Sequence, residues 1–139
     1  MGKITSLLAK IELILKHINK LNNFEKYTQK QIIEDDILCA AFEREMYIIS
    51  DLVIQICEII NSNYNLGQGL SYRESIERTL QYLKFEPHTF DEFLMIAGLR
   101  NRLAHEYAEI DYSIVYDVYK NNIPELKKLI HTIEEKISK

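Results

Sequence analysis

The chain opens with a regular apolar beat. Leu7, Ile11, Ile14, Ile18 and Leu21 step by four and three, which places them on one stripe of a helix and predicts a first helix over roughly 5–23. Leu38, Phe42, Ile49, Leu52, Ile56 and Ile60 continue the pattern in a stretch from about 29 to 62 that lacks glycine and proline, so a long second helix is expected. The run NSNYNLGQG at 61–69 is the densest cluster of turn formers and should reverse the chain.

Ser71 with Glu74, and Thr89 with Glu92, both match the capping box, in which a hydroxyl accepts from the N3 amide and a carboxylate reaches back. They predict the openings of a third helix running to about Phe85 and a fourth fading near Tyr107, with Pro87 in the connector. A last helical stretch begins around Asp111. It should break near Pro124, behind Asn121 and Asn122, with a fresh helix over about 123–137. The expected class is all-α: an antiparallel up-and-down bundle of four to five helices, one domain across residues 1–139.

Composition sharpens this picture at three points. With 139 residues and 47% hydrophobic content the chain can bury a core without metals or disulfides. Cys39 and Cys57 fall 18 residues apart on the predicted second helix, roughly 27 Å at 1.5 Å per residue, so they read as buried free thiols and fit a cytoplasmic protein. Lys10, Glu12 and Lys16 interrupt the N-terminal apolar run, which argues against a signal peptide or membrane span. A net charge of -4 excludes a surface that grips nucleic acid everywhere, so any RNA contact must be local.

One segment does not read as simple packing. Residues 99–107, LRNRLAHEY, set two arginines, an asparagine, a histidine and a tyrosine at the end of the fourth helix. Phe90, Phe93, Leu94, Ile96, Ala97 and Ala104 fill one arc of that helix, and Arg100, Asn101 and Tyr107 project from the same arc. Gly98 costs on the order of 1 kcal/mol against alanine within a helix, which suggests close approach of a neighbour. A buried guanidinium needs a partner, so Arg100 either pairs with an acid of the second helix (Glu43, Glu45 or Asp51) or faces a water-filled cleft. His105 lies about 140° around a straight helix from Arg100. The two meet only if the helix ends near Ala104 or if a second copy supplies one of them. Met95 and Leu99 are apolar enough on the remaining face for a dimer seam.

Arg100, four residues, His105, one residue and Tyr107 resemble the Arg-x-x-x-x-His-x-Tyr signature of the HEPN superfamily, and Asn101 is the usual companion of its arginine. RNRLAHEY followed by EIDYSIVYD is similar to the HepT branch, as is LSYRESIERTLQYL upstream, so the resemblance covers most of the chain, with the first helix its vaguest part. It implies a metal-independent endoribonuclease toxin whose cleft forms between the motif helices of a homodimer. His105 would act as general acid or base, Arg100 would clamp the scissile phosphate, Asn101 would support them and Arg102 could touch RNA. Tyr107 would be the target of AMP addition by an MNT-type nucleotidyltransferase antitoxin, to which ATP and magnesium would belong.

Other chemistry finds no support. The histidines at 17, 88, 105 and 131 are scattered, HEYAE lacks the second histidine of a zinc motif, the GxG at 67–69 is no phosphate cradle, and no cofactor is expected. Tyr112, Tyr116 and Tyr119 step by four and three, a stripe that reads as core or seam before it reads as a base-stacking platform. Two alternatives remain: a non-enzymatic module that binds a nucleotidyltransferase or a nucleotide, and a structural bundle with Arg100 salt-bridged inside.

Overall fold

The computed structural model describes residues 2–67, 71–104 and 109–138. They are all-α: α1 (Gly2–Lys20) continues into a 3-10 turn (Leu21–Phe24), followed by α2 (Gln29–Glu34), α3 (Asp36–Asn63), α4 (Tyr72–Tyr82), α5 (His88–Ala97), α6 (Leu99–Ala104), α7 (Tyr112–Asn121) and α8 (Ile123–Ile137). The apolar stripes found by spacing are buried: Leu7, Ile11, Ile14 and Ile18 of α1 pack with Phe42, Ile49, Ile56 and Ile60 of α3 in one core. No helix among the described residues is long and apolar enough to cross a membrane.

One predicted helix is cut by a side chain that competes for backbone hydrogen bonds. The expected helix over 29–62 is two, because Asp35 adopts an extended backbone and its carboxylate accepts from Ile37 N and Leu38 N, both at 3.0 Å, capping α3. Thr28 and Gln31 form a reciprocal capping box at the start of α2, which the pattern alone had not revealed. Ser71 caps α4 as expected, its hydroxyl accepting from Glu74 N. The helix ends at Tyr82 rather than Phe85, since Phe85 N turns back to Leu80 O at 2.9 Å and Lys84 takes a left-handed φ of 61°. The Thr89 and Glu92 box does not form: α5 already begins at His88, Thr89 is buried, and Glu92 instead accepts from Asn122 Nδ2 at 2.6 Å. Asp111 caps α7, and Pro124 sits in the first turn of α8.

α3 is the hub, packing against α1, α2, α4, α5, α6 and α7. Its two thiols are buried and unpaired, and burial pushes Cys57 up to about 12. One polar tie crosses the core near its C-terminus. Buried Asn61 donates through Nδ2 towards Cys57 O, Ser75 O and Thr79 Oγ1 at 2.8, 2.8 and 3.0 Å, and thereby fixes α4 against α3. Each buried hydrogen bond lost from such a network costs about 0.5–1.5 kcal/mol. Asn61→Ala should therefore lower stability by about 1–3 kcal/mol, read as a reduced urea midpoint with an unchanged slope. A change under about 0.3 kcal/mol would mean that the tie does not hold α4.

Candidate functional site

The stretch 99–104 does not continue α5. The helix breaks at Gly98, whose N–H is shared between Leu94 O and Ile96 O, and restarts as α6. Leu99 and Leu103 turn inward and are buried, whereas Ala104, expected on the inner arc, is exposed. Leu99 is thus core, not seam, and of the two residues assigned to a dimer seam only Met95 is open, at 52% exposure. Among the described residues no neighbour presses against Gly98, since a Cβ built there would meet only the carbonyl oxygens of Leu94 and Met95 in its own segment.

With Leu99 and Leu103 anchored, Arg100 lies at the edge where α6 meets α3. Its Nη1 stands 3.6 Å from Asp51 Oδ1, and the two side chains are 30% and 29% exposed. Of the two options the sequence left open, the guanidinium takes an acid of α3 beside it, and its side chain is partly exposed. A pair this exposed is worth well under 1 kcal/mol in most cases, so it cannot lock the arginine away from a stronger anion. Asp51 is held in turn, because Gln55 Nε2 donates to its Oδ2 at 2.6 Å.

Asn101 and Arg102 are exposed and line a cavity of about 400 Å³ with Glu109, Ile110, Asp111, Ile114 and Val115. Its lining joins the apolar Ile110, Ile114 and Val115 to polar and charged side chains. Hydrogen bonds from the Ser113 hydroxyl and backbone N–H hold the Asp111 carboxyl below the usual carboxylate range, with the charge of Arg102 adding to them. His105 and Tyr107 lie outside the described residues, so their expected meeting with Arg100 does too.

The far side of this segment is also tied to α3. Tyr112 Oη donates to Glu43 Oε2 at 3.2 Å, which pins the start of α7. The tyrosine stripe is mainly core: Tyr119 is buried, and Tyr116 and Tyr119 pack on Phe42 with ring centroids 6.5 and 5.3 Å away. Sequence spacing did not reveal the Tyr112 tie, nor the His17 Nδ1 to Glu45 Oε2 pair at 2.6 Å between α1 and α3. Among the described residues no three His, Cys, Asp or Glu side chains cluster as a metal site.

Residues 14–133 match the family described as ribonuclease HepT-like. The chain belongs to the HepT-like ribonuclease family. Among its relatives, a tRNA nuclease HepT from Aphanizomenon flos-aquae is 27% identical over 108 residues, 78% of this chain and 74% of that one. A putative RNase of Caldanaerobacter subterraneus subsp. tengcongensis is 26% identical over 130 residues, 94% of this chain and 89% of that one. The fold is shared with a toxin-antitoxin complex crystallised with AMP-PNP, at TM-score 0.76, 22% identity and coverage of 97% and 99%. It is shared too with a tri-AMPylated HEPN toxin of Shewanella oneidensis in complex with MNT antitoxin, at TM-score 0.74, 23% identity and coverage of 97% and 98%. In this HepT-like chain, Arg100 of the recognised signature is the member whose surroundings are described.

Burial first, and then the negative charge of Glu43, push the Tyr112 phenol up to about 12, against an ordinary value near 10. The raised folded value means that the Tyr112 contribution is complete below about pH 10 and is lost as pH rises through about 12. Tyr112→Phe should cost about 0.5–1.5 kcal/mol near pH 7, and the gap to wild type should shrink above about pH 10 in chemical denaturation. A gap that widens with pH would refute the assignment.

Proposed function

We propose that this HepT-like protein is a metal-independent endoribonuclease toxin. The observation that carries the reading is the half-open guanidinium of Arg100, paired on one side only, at the head of the Arg-x-x-x-x-His-x-Tyr sequence. RNA brings its own nucleophile, the 2′-hydroxyl next to each phosphodiester, so the enzyme has to move protons and stabilise charge in the in-line transition state. Arg100 takes the phosphate through the N–H groups that Asp51 leaves free. Proton transfer falls to His105, because an imidazole is the side chain whose ordinary value, near 6.5, lies close to neutral pH. Asn101 supports the pair, and to Arg102, exposed on the same short helix, we assign contact with the RNA.

The site is composite in this reading: two copies of the chain pair through the motif helices, with exposed Met95 in the seam. Silencing follows from charge. An MNT-type nucleotidyltransferase, using ATP and magnesium, adds AMP to Tyr107, and the added phosphate competes for Arg100 and repels the RNA backbone. The toxin-antitoxin neighbours, one of them carrying AMP groups, support the choice of partner. The cytoplasm, where RNA and such a partner are found, is the fitting compartment.

The first substrate to offer is tRNA, because the Aphanizomenon relative is a tRNA nuclease. The purified protein should cut it in EDTA, and Arg100→Ala and His105→Ala should each lose about 10² to 10⁴ in rate. Three equal rates, or cleavage that EDTA abolishes, would overturn the proposal. After incubation with the nucleotidyltransferase and ATP, intact-mass spectrometry should show AMP-sized additions to the wild type and none to Tyr107→Phe. Additions that persist in the variant would place the modification elsewhere.

A further inference from the structure

We infer that Asp51, itself fixed by Gln55, is the positioning residue for Arg100, an inference that rests on the ribonuclease reading. Both residues belong to α3 and sit one turn apart on its half-buried edge. Gln55 Nε2 donates to Asp51 Oδ2 at 2.6 Å, which leaves Oδ1 turned to Arg100 Nη1 at 3.6 Å. The order of contacts gives a direction to the relay. The short bond joins two residues of one helix, and the long contact joins two helices. The carboxylate is therefore set by α3 and the arginine is set by the carboxylate.

A carboxylate beside a phosphate-binding arginine could serve two opposite ends. It could occupy the guanidinium and compete with RNA, or it could aim the guanidinium and leave donors free. Geometry favours aiming. The contact uses one oxygen and one Nη, so it is not the bidentate fork that would saturate an arginine, and four of the five N–H donors of a guanidinium remain for a phosphate. The exposure of the pair also keeps its attraction small beside a charge-assisted bond to phosphate. What the contact can supply is orientation. Misplacing a catalytic group by about 1 Å can cost about 10²-fold in rate without weakening ground-state binding to match.

The test is steady-state cleavage of tRNA by Asp51→Ala, Asp51→Asn, Gln55→Ala and the Asp51→Ala/Gln55→Ala double variant, each checked for folding by circular dichroism and urea denaturation. We expect Asp51→Ala to lower kcat by about 10- to 100-fold with KM within about threefold of wild type. Asp51→Asn, which keeps an acceptor oxygen, should recover most of that loss. Gln55→Ala should lose about three- to tenfold, and the double variant should be no worse than Asp51→Ala, because Gln55 acts only through Asp51. A KM that falls severalfold at constant kcat would make Asp51 a competitor for Arg100 and overturn the inference, as would multiplicative losses in the double variant or rates equal to wild type.

If Asp51→Ala fails to fold, Asp51→Asn and Gln55→Ala decide the matter. Arg100 guanidinium NMR gives a readout that needs no RNA cleavage. Restricted rotation about its Cζ–Nη bonds in the wild type, released in Gln55→Ala, is the expected signature, and identical mobility in both would count against the relay. A wild-type protein that leaves RNA intact overturns the ribonuclease reading, and the NMR comparison then still reports whether Asp51 restrains the arginine.

Discussion

The structure depends on the burial of α3. Its apolar side chains, from Phe42 through Ile49 and Ile56 to Ile60, form the middle of the core, and helices before and after it in sequence pack around that rod. A helix of 28 residues spans roughly 42 Å, so it can present different neighbours with different chemistry along its length. Glu43, Tyr47, Asp51 and Gln55 recur every fourth residue and make a half-buried polar edge beside the apolar faces. Two carboxylates of that edge hold the segment that contains the signature. Asp51 meets Arg100 before residues 105–108, and Glu43 meets Tyr112 after them. These acids are eight positions apart, roughly 12 Å along the axis, so one rigid helix sets where both ends of the segment are anchored.

Much of this frame was legible in the sequence because burial imposes a period. The stripe of α1, the core positions of α3, the cap at Ser71 and the start at Asp111 all follow from spacing or from one short side chain before an apolar run. The breaks were less legible. Asp35 interrupts a run that has no glycine or proline, and it does so by offering its carboxylate to two backbone amides, an option that periodicity does not register. The capping box expected at Thr89 is a similar case in reverse. The pattern is present, but Thr89 is drawn into the core and Glu92 has a better partner in Asn122 across the bundle.

The candidate site divides along the same line. That Arg100 needs an acid from the second predicted helix followed from the cost of burying a charge, and Asp51 was one of three acids at suitable positions. Choosing among the three needed coordinates, because Glu43 is bound to Tyr112 and Glu45 to His17, which leaves Asp51 as the one that meets Arg100. The angular stepping that put Ala104 inside and Leu99 outside failed for a definite reason. It assumed one helix running to about Tyr107, whereas α6 is a separate short helix packed on α3, with Leu99 buried at its start and Ala104 exposed as its last residue.

Charge around the site limits how an RNA could be held. Among the described residues both arginines have acids beside them: Asp51 stands beside Arg100, Glu109 and Asp111 share a cavity with Arg102, and the chain as a whole carries -4. A polyanion gains little here from counterion release, since few phosphates can be neutralised. On the ribonuclease reading, productive binding must then come from a few well-aimed donors and from shape, with the apolar Ile110, Ile114 and Val115 in the cavity lining as the surface on which a base could be excluded from water. Such a design trades broad affinity for geometry. An arginine steered by a carboxylate belongs with it, because where long-range attraction is weak, the orientation of the few available N–H groups decides whether a phosphate that arrives is one that can react.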